Sequence, residues 1–226
     1  PADPIHFLQY SMDELETAVE EAKRADTYVM AHAYTAEAIQ RAVKAGIRTI
    51  EHGNFIDEKT ARLMVKKNVY LVPTLIAYYM ISKLGKQLGY PENSIRKGED
   101  VLKIGTNSLK IAKEYGVKMA YGSDLMGELD EYQSDEFLIR EKILSPMDII
   151  KSATIIGAEV LRKKGILGEI KEGAFADIIV INGNPLENLK LLILTGFIFK
   201  FAHFGGDIFC KALMSFVHPI IFFLKI

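Results

Sequence analysis

Short apolar runs, each bounded by polar or turn-forming residues, recur along much of the chain. They lie at 28–32, 47–52, 69–74 and 117–121 and predict buried β-strands. Amphipathic stretches separate them, and this alternation indicates parallel βαβ units with right-handed crossovers. The carboxyl ends of such strands lie at one edge of the sheet, where folds of this kind keep their chemistry. The pattern therefore predicts an α/β fold with one functional edge.

The amphipathic stretches predict helices with recognisable ends. Ser11 precedes an acidic first turn and predicts the start of a helix over 12–25. Thr35 and Gly46 bound a second helix, because glycine readily takes the left-handed conformation that follows a helix. Further helices are predicted at 58–67 with Asp57 as its cap, at 98–115, at 135–143 and after Ser145-Pro146, with a loop-and-helix insertion at 75–97.

The pattern changes towards the carboxyl terminus. Two turns flanking a short strand are predicted at 165–177, followed by a strand at 178–182. From residue 191 a Phe-rich stretch has neither strand nor helix periodicity, which suggests a sequence that has left its reading frame or its family. Its longest charge-free run, 212–224, is shorter than the about 20 residues that span a bilayer, so no membrane segment is expected. We divide the chain into three predicted segments, 1–165, 166–190 and 191–226.

Three ionisable side chains stand at the ends of predicted strands. His32 and His52 end two of them, and Asp124 follows the strand at 117–121. Two neutral imidazoles and a carboxylate suit a divalent metal that keeps one position open for water. Taken singly, each histidine is as readily a core or capping residue. Their shared position favours a metal hydrolase.

Composition narrows the classes of function. Twenty-eight basic and 29 acidic side chains give a formal net charge of -1, so no overall field attracts nucleic acid. Cys210 is the only cysteine, which excludes an internal disulfide and a cysteine metal cage. There is no phosphate-binding glycine loop, and Ser123 lacks the Gly-x-Ser-x-Gly frame of a nucleophile. The chain opens on Pro1 without a secretory signal, which favours a cytoplasmic location and a start further upstream.

Four motifs in order resemble the amidohydrolase superfamily, in particular its imidazolonepropionase-related branch with metal-dependent Xaa-Pro and Xaa-Arg dipeptidases. They are His32-Ala33-Tyr34-Thr35, Ile50-Glu51-His52-Gly53, Gly122-Ser123-Asp124 and the stretch 168–177. The resemblance covers about residues 1–190 and implies a (β/α)8 barrel with a small β-sandwich. Because such a barrel needs about 250 residues, the chain is expected to be its C-terminal half, strands five to eight, with a fragment of the sandwich.

The resemblance also implies roles for individual residues. His32 and His52 correspond to the metal ligands after strands five and six, and Asp124 to the aspartate that contacts metal and accepts a proton from the attacking water. The metal is expected to be zinc, as one or two ions. Tyr34 corresponds to the tyrosine that binds the substrate's α-carboxylate, the alternative being an aromatic residue that packs on its neighbour. Weaker candidates are Asn54, Thr74 and Tyr78, and Glu51 either orients a metal ligand or faces the adjacent helix.

The implied activity is hydrolysis of the amide bond of a dipeptide or an N-acyl amino acid by a metal-activated water. The family's His-x-His pair and bridging lysine are expected before residue 1, and nothing in the chain replaces them. The alternative is therefore a truncated, inactive remnant of such an enzyme. Because half a barrel leaves open strand edges, the chain is also expected to form a homo-oligomer.

Overall fold

A parallel β-sheet forms the centre of the molecule in a computed structural model, which describes residues 4–179, 181–193 and 222–225. Four strands in the described residues pair in the order β3-β2-β1-β4, and every pairing is parallel. The strands are β1 Val29–Thr35, β2 Thr49–Phe55, β3 Tyr70–Val72 and β4 Phe222–Lys225. The prediction of an α/β fold built on parallel strands is confirmed, and the sheet is small.

Eight α-helices surround the strands within the described residues. They are α1 Met12–Arg24, α2 Ala36–Ala45, α3 Glu58–Lys67, α4 Leu75–Leu84, α5 Glu92–Tyr115, α6 Glu136–Glu141, α7 Pro146–Ala153 and α8 Ile155–Val160. Two 3-10 helices, Gly127–Asp135 and Leu189–Leu192, lie between them or follow them. The helix predicted at 58–67 is confirmed, and α1 ends one residue before the prediction. The expected insertion at 75–97 consists of α4 and the first turns of α5, which begins at Glu92 and not near residue 98.

Local capping explains why the early helices begin and end where predicted. Ser11 and Glu14 form a reciprocal capping box at the start of α1. Asp57 Oδ1 accepts from the Thr60 backbone N–H at 2.7 Å and starts α3. Gly46 ends α2 with a φ of 99°, in the left-handed region that favours glycine. These ends fix how far each helix extends before the next strand.

The two faces of the sheet have different surroundings. Ala31 and Ile50 point into a core made with helices α1, α2, α3 and α5. On the opposite face, Tyr70 and Val72 pack with Val160 of α8 in a separate cluster. α8 therefore packs against β3 on that face.

Several predicted strands are corrected. Residues 117–121 form only a short bridge, in which the Leu71 N–H donates to the Lys118 carbonyl and the Ala120 N–H to the Leu71 carbonyl. The turns at 165–177 are present, but no described residue between 165 and 182 belongs to a strand. A strand needs a neighbour to bond its backbone, and no second strand lies beside this segment in the described residues. Ile170 is consequently 93% exposed.

The carboxyl-terminal stretch contributes one described element. β4 pairs with β1 from Val29↔Phe222 to His32↔Lys225, while residues 194–221 lie outside the described part of the chain. The interpretation of that stretch as out of frame stays a prediction. Within the described residues, no helix is long and apolar enough to cross a bilayer.

Candidate active site

Two histidines meet at the level where β3 ends. The prediction that they end their own strands is wrong, because His32 is the fourth of seven residues in β1 and His52 the fourth of seven in β2. His32 pairs in register with Glu51 and Ala33 with His52, so the two imidazoles lie one residue apart on neighbouring strands. His32 Nδ1 and His52 Nε2 are 2.8 Å apart. His52 has a φ of 74°, which is uncommon for a residue with a side chain and is found mostly where structure or function demands it. The structure thus brings the two predicted histidines together.

The second nitrogen of His52 is held by the next strand end. His52 Nδ1 and Thr74 Oγ1 are 2.7 Å apart, and both residues are buried. When Nδ1–H donates to the threonine hydroxyl, Nε2 keeps its lone pair and can accept from His32 or bind a metal. The contact with Thr74 therefore orients the His52 ring and is compatible with the tautomer that a metal ligand requires.

Two tyrosines cover this histidine. The Tyr34 ring stacks on His52 with 4.8 Å between centroids and 13° between planes. The Tyr78 hydroxyl donates to the Tyr34 hydroxyl at 3.3 Å, and its ring meets His52 edge-on. Burial raises the pKa of the Tyr34 hydroxyl, and it raises the pKa of Tyr78 further above its usual value. Both phenols stay protonated at neutral pH, and the Tyr34 hydroxyl, which accepts from Tyr78, keeps its own proton to donate to an anion.

Asp124 lies nearby with a strained backbone. Its φ is 53°, in the left-handed region, so two of the three predicted ligands adopt this rare conformation. Burial raises the pKa of the Asp124 carboxyl, and the neighbouring His32 opposes that rise. Within the described residues, however, no group of three or more His, Cys, Asp or Glu side chains is arranged to hold a metal ion.

The two imidazoles have the chemistry of a metal site but not its final geometry. Zinc–nitrogen bonds of about 2.0–2.1 Å at a tetrahedral angle place two ligand nitrogens about 3.3 Å apart. The nitrogens of His32 and His52 are 2.8 Å apart, so binding one ion requires them to separate by about half an ångström. The donor types of His32, His52 and Asp124 fit a divalent metal.

A buried carboxyl lies beside the histidines. Glu51 is 7% exposed and accepts a hydrogen bond from the Thr49 hydroxyl at 2.7 Å. Burial raises its pKa to about 7, although the bond from Thr49 acts in the opposite direction. Glu51 pairs with Val72, which lies on the face of the sheet opposite the core of helices α1, α2, α3 and α5, here called the inner face. Glu51 therefore faces the inner side and not the adjacent helix.

Sequence reasoning missed a buried ion pair behind the site. Arg140 and Glu136 on the short helix α6 are both 0% exposed and joined at 2.7 Å. Burial raises the pKa of the Glu136 carboxyl, and the guanidinium of Arg140 opposes that rise. A charged helix of six residues normally indicates a solvated surface, so the sequence gives no signal that this pair is interior.

Several known proteins with similar sequences and structures are hydrolases. A model of the amidohydrolase family matches residues 2–207. The ochratoxinase of Aspergillus niger is 30% identical over 192 residues. Among solved structures, a prolidase complexed with N-methylphosphonate-L-proline is 48% identical with a TM-score of 0.83. A Xaa-Pro dipeptidase with methionine bound in its active site is 34% identical with a TM-score of 0.75.

The similarity covers most of this chain but only part of each relative. The match to ochratoxinase takes in 84% of this chain and 39% of that protein. The prolidase structure matches 85% of this chain, which corresponds to 47% of the prolidase, and the dipeptidase matches 81% and 46%. The chain therefore spans less than half the length of these relatives.

Proposed function

Because the chain belongs to the amidohydrolase family, we propose that it carries part of the active site of an enzyme that hydrolyses a dipeptide or N-acyl amino acid. The observation that carries this proposal is the meeting of His32 and His52 at the level where β3 ends, 2.8 Å apart. Tyr34 stacks on the same histidine and supplies a hydroxyl beside it. The group combines metal-ligand chemistry with a donor for an anionic substrate.

In the proposed site His32, His52 and Asp124 would hold a divalent metal, which we take to be zinc. Such an ion would lower the pKa of a bound water to about 7 and so supply a nucleophile at neutral pH. Asp124 accepts the proton of the attacking water and passes it to the nitrogen of the leaving group. Thr74 orients the His52 ring through the contact at 2.7 Å.

The proposed substrate has a free carboxylate that Tyr34 binds. The Tyr34 hydroxyl accepts from Tyr78, which leaves its own proton to donate to the substrate. The similar prolidase and Xaa-Pro dipeptidase are complexed with a proline derivative and with methionine, two ligands built on an amino acid. These neighbours support a small peptide substrate for the site.

We further propose that the chain is the C-terminal half of a (β/α)8 barrel with a fragment of a β-sandwich. The small parallel sheet and the coverage of 47% of the similar prolidase support the half-barrel. Ile170 and Phe175, 93% and 60% exposed, support a sandwich segment that packs against further strands.

The second candidate is a remnant without catalytic activity. It is favoured by one observation, namely that the described residues contain no group of three or more side chains arranged to hold a metal ion. In that case the chain keeps the fold and the paired histidines without the hydrolytic reaction.

Metal content of the purified 226-residue chain separates the two candidates. The active-site proposal expects near-stoichiometric zinc by elemental analysis, lost in His32→Ala and in Asp124→Ala. The matched control is His6→Ala, because His6 is exposed and lies at the amino terminus, away from the paired histidines. Zinc that is absent from the parent chain, or retained in both site variants, would reject the proposed metal site.

The role of Tyr34 is tested on paired substrates. Removing one hydrogen bond to a charged group costs about 1.5–3 kcal/mol, or about 10–100-fold. Tyr34→Phe should therefore raise KM about 10–100-fold for a dipeptide with a free carboxylate and leave its carboxamide analogue almost unchanged. Equal effects on both substrates would assign Tyr34 a packing role only.

A further inference from the structure

A buried ion pair links three chain segments behind the two histidines. Arg140 Nε donates to Glu136 Oε1 at 2.7 Å, and neither side chain is exposed to solvent. One terminal nitrogen of Arg140 donates to the Pro73 carbonyl at 2.6 Å. The other donates to the Ala120 carbonyl at 3.0 Å and to Ser152 Oγ at 3.4 Å. Arg140 thus donates to a backbone carbonyl in each of two neighbouring segments, at Pro73 and at Ala120.

The carboxylate replaces an ordinary helix cap. Thr74 stands at the N-cap position of α4, where a threonine normally accepts from the first backbone N–H groups. Its side chain makes no such bond and instead meets His52 Nδ1 at 2.7 Å. The Ile76 N–H at the start of α4 donates to Glu136 Oε2 at 2.7 Å. Glu136 therefore satisfies a helix end that Thr74 leaves open.

The guanidinium fixes the position of the same threonine. Pro73 directly precedes Thr74, and Ala120 lies four residues before Asp124. Because the N–H groups of a guanidinium form a rigid planar fork, bonding both carbonyls at once sets the spacing of the two segments. A lysine has a single nitrogen and cannot reproduce this fork.

We propose that Glu136 and Arg140 are positioning residues for His52. Glu136 caps α4 in place of Thr74, and the Thr74 hydroxyl is thereby free to hold His52 Nδ1–H. Arg140 keeps the Thr74 and Asp124 segments at the spacing that this contact needs. The orientation of His52 follows from the geometry alone, while its consequence for metal binding rests on the proposed function.

A purely structural role makes a different prediction. Replacing a buried ion pair by well-packed apolar side chains is often neutral or stabilising, whereas removing one partner leaves a buried charge and costs about 3–5 kcal/mol. The double variant Glu136→Leu with Arg140→Met removes both charges and keeps the volume. If the ion pair only stabilises the fold, this double variant leaves the tautomer of His52 unchanged.

The test is the tautomer of His52 in the metal-free chain, read from the side-chain nitrogen shifts of isotope-labelled histidine by NMR. The parent should carry the proton on Nδ1. Thr74→Val, which removes the hydroxyl directly, gives the reference for a released His52. The double variant should move the His52 shifts towards that reference, because Thr74 turns to cap α4. Unchanged shifts in a folded double variant would overturn the proposal.

If the double variant does not fold, the same NMR measurement on Arg140→Lys tests the positioning role. Its matched control is Arg41→Lys, because Arg41 also donates to a backbone carbonyl, that of Tyr10 at 2.6 Å, but outside the site. Only Arg140→Lys should change the side-chain nitrogen shifts of His52. Equal shifts in both variants, or none in either, contradict the positioning role.

Zinc titration separates this inference from the proposed function. Loss of a residue that orients a metal ligand typically lowers affinity 10–100-fold, and we expect about that loss in Arg140→Lys. A parent chain that binds no zinc but has Nδ1-protonated His52 sensitive to Arg140 would reject the metal site and keep the positioning role.

Discussion

Two glycines of the same helix should respond to alanine with opposite signs. Gly98 and Gly105 both lie inside α5 and both are buried. A Cβ on Gly105 would come within 2.5 Å of Leu75 Cδ2 and 2.8 Å of Asn54 Nδ2, whereas a Cβ on Gly98 would meet its nearest atom, Ile81 Cγ2, at 3.4 Å. Alanine raises the helix propensity of α5 at both positions. The two positions differ in the space available to the new methyl group.

The magnitudes follow from these distances. Alanine in place of glycine inside a helix stabilises by about 1 kcal/mol. At Gly98 that gain remains, because 3.4 Å is an ordinary contact. At Gly105 the added methyl group displaces Leu75 and Asn54, which are 0% and 1% exposed. Overpacking of this kind costs about 1–3 kcal/mol, so the net change is a loss of up to about 2 kcal/mol.

Urea unfolding followed by far-UV circular dichroism measures both variants, since the chain has no tryptophan for fluorescence. Gly98→Ala should raise the midpoint and Gly105→Ala should lower it, with similar slopes in the two curves. Stabilisation by both substitutions would mean that Leu75 and Asn54 have room to move. Destabilisation by both would mean that the contacts of Gly98 are tighter than the structure indicates.

Three further outcomes are expected. The bond from Lys118 at 2.7 Å, together with those from Tyr70 and Lys164, lowers the pKa of the Glu159 carboxyl from 4.5 to about 2. The ionised Glu159 carboxylate therefore contributes its full stabilisation above pH 4.5, and this contribution is lost as the pH falls towards about 2. In an acid titration, Glu159→Gln should not show this loss of stability. Asp57→Ala should lower the free energy of unfolding by about 1 kcal/mol in urea titrations, and an unchanged value would mean that α3 has another cap. Ile50→Ala, in the sheet core, should cost about 2–5 kcal/mol, and a smaller loss would mean that the site collapses around the cavity.

The elements near the amino terminus could be predicted from local sequence because local chemistry specifies them. Ser11, Gly46 and Asp57 each set a helix end through bonds to backbone groups within a few residues. The alternation of apolar runs and amphipathic stretches likewise gave the parallel sheet. The strand expected at 178–182 could not be judged in this way, because a strand depends on a neighbour elsewhere in the chain.

For the candidate site, the sequence alone determined which residue types the strands carry. His32 and His52 lie on neighbouring parallel strands, but their register differs by one residue, so their side chains meet only because His52 takes a left-handed φ of 74°. Whether Asp124 completes a metal site stays a prediction.

Only the tertiary structure decided how the site is supported. Thr74 turns its hydroxyl towards His52, and Glu136 and Arg140 occupy the interior behind it. These contacts join residues that are 22 to 67 positions apart in the chain. No local pattern encodes them, because a side chain in a short charged helix is buried or exposed according to what packs over it.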